Sequence, residues 1–298
     1  MEIHQRSAGG ELPEQVRGRV LSAVEIHGEH IALLAPHAGH TRILADERNG
    51  GLHRLRPGIA CQAHPWLPDC RLAQGTGNLE RLDAFRDGRV YVQDPAAHLA
   101  ALASGVEPGM QVLDACAAPG GKSFAAAMQM RNEGSILSCD IHPHKLTLIE
   151  KGAERLGITM LQTRLQNAAE HDPALDGQFD AVIADVPCSG LGVIRKKPDI
   201  RYKPLEPLAR LPELQRAILE NVCRYVKPGG TLVYSTCTVL RRENEAVAEA
   251  FLKEHPDLSP ETIPAPTGFG LENDGMLTLL PFKHDTDGFF ICRMRKHS

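Results

Sequence analysis

From about residue 110 the chain alternates short apolar runs with longer segments of helical periodicity, and that alternation leaves few folds open. Residues 110–115, 135–139, 158–163, 179–184 and 231–235 have strand length, whereas residues 122–131, 144–156, 208–226 and 243–255 read as helices. Strand–helix–strand connections of this kind predict a parallel sheet with crossover helices, a doubly wound α/β fold. Gly157 stops the second helix, and Lys227-Pro228-Gly229-Gly230 stops the third and turns the chain. Two alternating runs, 276–281 and 288–294, flank residues 283–287 and predict an antiparallel hairpin that completes the sheet. Residues 1–94 differ: their apolar runs (20–26, 31–35, 41–44) are short and Gly and Pro are scattered. They read as a small α+β module, joined through His64-Pro65-Trp66-Leu67-Pro68 to a second domain, 95–298, that opens with a helix at 95–104.

In such a sheet the carboxyl ends of the strands line the ligand crevice. The first strand delivers Cys116-Ala117-Ala118-Pro119-Gly120-Gly121-Lys122-Ser123, whose small residues and paired glycines let the backbone turn tightly ahead of a helix N-terminus. This is neither a P-loop, because position 116 is Cys, nor a Gly-x-Gly-x-x-Gly turn. The second strand ends at Asp140, where doubly wound folds place an acid on ribose hydroxyls; a plain helix cap is the other use of an Asp there. The fourth strand runs into Asp185-Val186-Pro187-Cys188 and the fifth into Ser235-Thr236-Cys237-Thr238. Two thiols and a carboxylate at one crevice, downstream of a cofactor turn, predict covalent chemistry on a substrate that needs activation.

Composition narrows the setting. A chain of 298 residues, 42% hydrophobic, builds one large domain and a smaller one. No run is long enough to span a bilayer, and Met1-Glu2-Ile3-His4-Gln5-Arg6 lacks the pattern of a signal peptide, so a cytosolic, membrane-free protein is expected. The eight cysteines form no Cys-x-x-Cys pair and no Cys/His cluster with zinc spacing, which predicts free thiols and no metal. A net charge of −4 does not point to nucleic acid, but the cations cluster: Arg195-Lys196-Lys197 with Arg201 and Lys203, then Arg241-Arg242, then Arg293-Met294-Arg295-Lys296. Arg195, Lys196, Lys197 and Arg201 follow the Cys188 motif closely enough to grip phosphates beside a flipped nucleotide, and Tyr202 offers a stacking face.

Taken together, Asp114 to Lys122, Asp185-Val186-Pro187-Cys188-Ser189-Gly190 and Ser235-Thr236-Cys237 resemble the ordered motifs of the RsmB/Sun family of RNA cytosine-C5 methyltransferases. Gly192-Val193-Ile194-Arg195, Lys197-Pro198-Asp199-Ile200, Lys227-Pro228-Gly229-Gly230, Glu243-Asn244 and Asp287-Gly288-Phe289-Phe290 extend the likeness, which runs from about Trp66 to the C-terminus and is greatest to the bacterial branch that modifies 16S rRNA. The resemblance implies a Rossmann-like class I S-adenosylmethionine-dependent methyltransferase fold, with a mostly parallel seven-stranded sheet, acting on RNA; a monomer is expected. It implies that Cys116, Ala117, Ala118, Pro119, Gly120, Gly121, Lys122, Asp140 and Asp185 contact S-adenosylmethionine. Asn167 stands where the family usually has Asp beside the adenine, and its carbonyl oxygen can still accept from an exocyclic amine. A NusB-like helical domain usually precedes this segment in the family; the present chain is too short to hold one, and residues 1–64 match the family poorly.

The chemistry explains the need for a thiol. C5 of cytosine is a poor nucleophile until a thiolate adds to C6 and makes the ring enamine-like. A carboxyl group at N3 spreads the developing charge, and loss of the C5 proton then expels the enzyme. The residues alone do not rank the two thiols, because DNA cytosine methyltransferases attack through a Pro-Cys motif like that of Cys188. The resemblance implies that Cys237 attacks, Cys188 assists proton removal or release, Asp185 contacts N3, and Lys122 orients base and carboxylate.

Overall fold

In a computed structural model of the chain, the described residues are 31–34, 59–74, 76–202, 204, 208–264 and 273–298. The expected apolar runs at 20–26 and 41–44, and Lys203 of the cation cluster, lie outside them, whereas Ile31–Leu34 forms strand β1. β1 joins β2 (Ala60–Ala63), β3 (Cys70–Gln74) and β4 (Tyr91–Gln93) in an antiparallel sheet of order β2-β3-β1-β4. A one-turn helix, α1 (Asp83–Arg86), precedes β4, and Ala73, Ala84 and Val90 form the small core beneath this sheet.

The larger sheet holds eight strands in the order β10-β12-β9-β8-β5-β6-β7, with β11 also on β12. Its parallel part comprises β5 (Gln111–Asp114), β6 (Ser135–Asp140), β7 (Leu161–Leu165), β8 (Phe179–Asp185) and the start of the long β9 (Val226–Thr236). β12 (Phe289–Lys296) runs antiparallel to β9. Its other edge is shared end to end by β11 (Met276–Leu279) and β10 (Leu258–Pro260). The expected terminal hairpin is therefore β11–β12, and β10 is an eighth strand beyond the seven expected. The strand order reverses between β5 and β8, the switch point at which open α/β sheets bind ligands.

Helices cover both faces. α2 (Pro95–Leu102), α3 (Gly121–Gln129) and α4 (Pro143–Leu156) lie on one side, α5 (Leu211–Val222) and α6 (Glu245–Glu254) on the other. The two-residue period of a strand sends successive side chains to opposite faces. In β8, Ala181 and Ile183 pack with Ala126 and Ala127 of α3 and with Met130 just past its end, while Val182 and Ala184 pack with Ile218, Leu219 and Phe251. Local signals set the helix ends. Asp94 caps α2 by accepting from Ala96 N at 2.9 Å, with Pro95 in the first turn, and Gly157 closes α4 at φ 67°. No helix among the described residues is long and apolar enough to cross a membrane.

Three segments depart from expectation. β7 begins at Leu161 rather than 158, because Ile158 and Met160 turn into the core before the edge strand starts. α5 ends at Val222, where a 3-10 turn (Cys223–Tyr225) buries Tyr225 and passes straight into β9. Lys227-Pro228-Gly229-Gly230 lies inside β9 as an irregularity opposite residues 179–181, not as a turn between elements.

Candidate active site

Two thiols meet where β8 and β9 end side by side. Asp185 pairs with Ser235 across the parallel ladder, so the loops leaving these strands start level. Val186 N donates to Ser235 O at 3.0 Å and Ser189 Oγ to Thr238 Oγ1 at 2.8 Å. Cys188 Sγ consequently lies 3.1 Å from Cys237 Sγ. Both residues are partly buried, and Cys237 N also donates to Cys188 Sγ at 3.3 Å. The loops close further at Gly192, whose N donates to Cys237 O and whose O accepts from Gly288 N. A Cβ at residue 192 would stand 1.9 Å from Gly288 O, so this approach needs glycine.

Lys122, from the first turn of α3, places Nζ 2.5 Å from Asp185 Oδ2 and 5.1 Å from the centre of the Phe289 ring. Ser235 Oγ donates to the other Asp185 oxygen at 2.8 Å. The carboxylate is thus fixed by partners on one strand, β9, and one helix, α3. The thiols are electrostatically unequal. A hydrogen bond from Cys188, aided by the Lys122 charge, holds Cys237 below the ordinary thiol range despite its burial. The same hydrogen bond and burial push Cys188 up. Of the two thiols, Cys237 is therefore the one that ionises first, with Cys188 keeping its proton.

The expected cofactor turn lies beside this centre. Gly120 adopts φ 109°, and a Cβ there would strike the Phe124 ring. One cavity, of about 180 Å³, is lined by Cys116, Ala117, Ala118, Pro119, Gly121 and Lys122 together with Asp114 and Asp185. A second, of about 300 Å³, is lined by Cys116, Asp140, Asn167, Ile141, Lys145 and Pro187, among others. Cys116 lies in both walls, so the cavities adjoin along the carboxyl ends of β5, β6 and β8. Asp140 uses Oδ1 to accept from His142 N at 3.0 Å, closing the turn before α4 without capping that helix, and it also forms a cavity wall. Asn167 commits Oδ1 to Ala169 N and Nδ2 to Glu170 Oε1, so its side chain is braced by its own loop. Asp114 is buried and raised to about 6 by that burial; Ser123 Oγ donates to one oxygen and Oδ1 has no hydrogen-bond partner. Burial among Asp114, Asp185 and Asp140 holds the Cys116 thiol neutral.

The cation cluster is more varied than its sequence suggests. Lys196 Nζ bridges Asp94 at 2.8 Å and Asp287 at 3.0 Å. Burial alone would lower its pKa, but the two carboxylates outweigh burial and raise it. Through these two ion pairs Lys196 ties the α2 cap, the Cys188 loop and the approach to β12 together. Arg195 pairs with exposed Asp285 at 3.6 Å, and Arg201 sits 5.2 Å from the centre of the exposed Tyr202 ring. Lys197 follows in the same loop.

Sequence reasoning missed Tyr91 and Gln93, which reach the cofactor cavity from β4 of the small sheet. Their only signal was adjacency to the α2 cap. It also missed Asp69, Cys70 and His98, whose ligand atoms gather within 4.8 Å of one another. His98 Nε2 and Asp69 Oδ2 are hydrogen-bonded at 2.9 Å, and burial raises the Cys70 thiol. This group links the small sheet to α2.

Comparison with known proteins gives a consistent picture. A family model described as 16S rRNA methyltransferase RsmB/F matches residues 101–295. The probable ribosomal RNA small subunit methyltransferase B of Bacillus subtilis is 45% identical over 227 residues, 74% of this chain and 51% of that protein. The corresponding Synechocystis protein is 38% identical over 76% of this chain and 52% of its own length. The chain spans about half the length of these relatives. Among solved structures, PH0851 superposes with a TM-score of 0.81 at 28% identity, covering 92% of this chain and 61% of that one. A methyltransferase homolog from Pyrococcus horikoshii gives 0.74 at 26% identity, covering 90% and 86%.

Proposed function

This chain belongs to the 16S rRNA methyltransferase RsmB/F family, and from that premise we propose that it methylates C5 of a cytosine in RNA, with 16S rRNA as the substrate. The observation that carries the reading is the 3.1 Å approach of Cys188 to Cys237 beside the Lys122–Asp185 ion pair. S-adenosylmethionine is the cofactor, and when bound it supplies an electrophilic methyl group.

The cavity residues fit that molecule. Asp140 offers carboxylate oxygen to ribose hydroxyls, and the unpartnered Asp114 Oδ1 offers an acceptor to an ammonium group. Gly121 lets the backbone line the smaller cavity without a side chain, Gly120 makes the turn behind it, and Ile141 gives the adenine an apolar wall. Asn167 braces the loop beside that wall.

Cys237 Sγ adds as a thiolate to C6 of the cytosine while Cys188 keeps its own proton; Asp185, in its acid form, gives a proton to N3, where the charge develops, and Lys122 holds that carboxyl group in place. After methyl transfer a base takes the C5 proton, the electron pair of that C–H bond restores the C5–C6 double bond, and the C6–Sγ bond breaks to return Cys237 as a thiolate, with Cys188 assisting this release. Arg195, Lys197 and Arg201 contact the RNA backbone, with Tyr202 stacking beside them, and Lys196 braces the loop that carries them. Residues 1–94 serve as an RNA-positioning module and 95–298 as the catalytic domain. The protein works as a cytosolic monomer.

The test is transfer of a labelled methyl group from S-adenosylmethionine to unmodified 16S rRNA, with mapping of the product. A single 5-methylcytosine supports the proposal. Transfer to a different RNA alone reassigns the substrate, and cofactor binding without transfer to any RNA points instead to a non-catalytic RNA-binding assembly factor.

A further inference from the structure

Gln215, on α5, is fully buried, and its amide nitrogen meets two acceptors. Nε2 donates to Pro187 O at 3.0 Å and to Glu243 Oε2 at 3.2 Å. Only a donor can serve both, so the amide orientation is fixed. Glu243 is also fully buried, and its Oε2 accepts from Ser189 N at 2.8 Å. Pro187 and Ser189 are the two neighbours of Cys188. Side chains from separate elements therefore grip the peptide on both sides of one thiol, while Ser189 Oγ fastens the same loop to Thr238.

The arrangement is not what packing alone selects. Oε1 of Gln215 and Oε1 of Glu243 are both buried without a hydrogen-bond partner. Half-satisfied polar groups disfavour a core, and an apolar side chain would fill the position of Gln215 without that cost. The orphaned oxygens accompany three hydrogen bonds that all bear on the 187–189 peptide, directly or through the partner residue.

We propose that Gln215 and Glu243 are positioning residues for Cys188, holding its sulfur beside Cys237 for the step that frees the methylated base. The role in release rests on the function proposed above; the role in placing the sulfur does not. Loosening the grip lets Cys188 move away from Cys237 and delays release, leaving enzyme joined to RNA.

Closure of a Cys188–Cys237 disulfide reads the position without needing activity. With diamide as oxidant, each thiol gives up one hydrogen, the S–S bond forms, and diamide is reduced to its hydrazine. Linked peptides are followed by mass spectrometry in variants whose melting temperature shows them folded. Gln215→Met keeps the volume but removes the donor, and closes about tenfold more slowly, the effect of one lost buried hydrogen bond. Glu243→Gln keeps an acceptor for Ser189 N and closes within about twofold of the parent, whereas Glu243→Met slows like Gln215→Met. In steady state with RNA, Gln215→Met also traps a larger fraction of enzyme as a denaturant-stable adduct, an increase that general loss of folding cannot produce. Closure of Gln215→Met at the parental rate overturns the proposal. Slowed closure in a protein whose parent methylates no RNA upholds the positioning role and removes the methyltransferase reading instead.

Discussion

Cys188 Sγ and Cys237 Sγ lie 3.1 Å apart although 49 positions separate them in sequence. The approach follows from parallel pairing of β8 with β9, which brings Asp185 level with Ser235 and so starts both loops at one height. The hydrogen bond between the thiols then gives them different protonation. Cys188 retains a proton that lowers the cost of a thiolate on Cys237, and Lys122 adds to the effect through space.

That asymmetry is measurable as a pH profile. Cys237 is held below its ordinary value of 9.0, so its alkylation by iodoacetamide should rise with pH and level off earlier than for a free thiol. Cys188→Ala removes the donated hydrogen bond and should move the midpoint upward. Peptide mapping of alkylated Cys237 across pH 6 to 10, a span of about four units around the ordinary thiol range, checks the direction. An unchanged or lower midpoint would contradict the assignment of the proton.

Lys196 supplies a second test, of structure rather than chemistry. It bridges Asp94 and Asp287, and Lys196→Met leaves both carboxylates without their shared cation. The expected loss is about 2–3 kcal/mol in denaturant unfolding, within the range for breaking a partly buried pair. A change in RNA affinity with unaltered stability would return Lys196 to the phosphate-binding group.

Asp287 makes the same network pH-dependent. Burial, reinforced by Asp94, raises it to about 6 from an ordinary 3.8, so the folded state holds its proton longer than the unfolded chain does. The stability this group contributes is fully present below the unfolded value and is lost as pH rises through about 6. Asp287→Asn does not titrate. Its melting temperature should therefore gain on that of the parent between pH 3 and 7, a window about four units wide that spans both values. A constant difference across that window would show that the carboxyl is not perturbed.

Gly192→Ala tests the contact between the two loops. The added methyl meets Gly288 O at 1.9 Å and Cys237 O at 2.8 Å, both backbone atoms that cannot swing aside. The variant should lose about 1–3 kcal/mol of stability and most of its methyl transfer, measured together by unfolding and by label incorporation. Full activity would mean that the loops do not need this approach.

The sequence revealed the elements that carry a strong local signal. β8 was legible because its apolar run is buried on both faces, and α4 because Gly157 marks its end. β7 was displaced because it is an exposed edge strand without a clear alternating pattern, and the junction of α5 with β9 because helix and strand follow each other without polar punctuation. At the site, the meeting of Cys188 and Cys237 was legible from strand ends. The bridge from Lys196 to Asp94 and Asp287 was not: it joins residues 102 and 91 positions apart, and a basic run looks the same in sequence whether it faces solvent or carboxylates. Gln215 was hidden for a similar reason, since only the packed helix shows which way its amide faces.

The central claim is that Cys237 attacks and Cys188 assists release. RNA containing 5-fluorocytosine at the target lacks the C5 proton whose removal ends the reaction, so it holds the attacking thiol as a covalent adduct on a denaturing gel. The account predicts this adduct with the parent protein and with Cys188→Ala, and its absence with Cys237→Ala. With ordinary RNA, Cys188→Ala should accumulate the adduct. An adduct formed by Cys237→Ala and not by Cys188→Ala would contradict the account and reverse the roles of the two thiols.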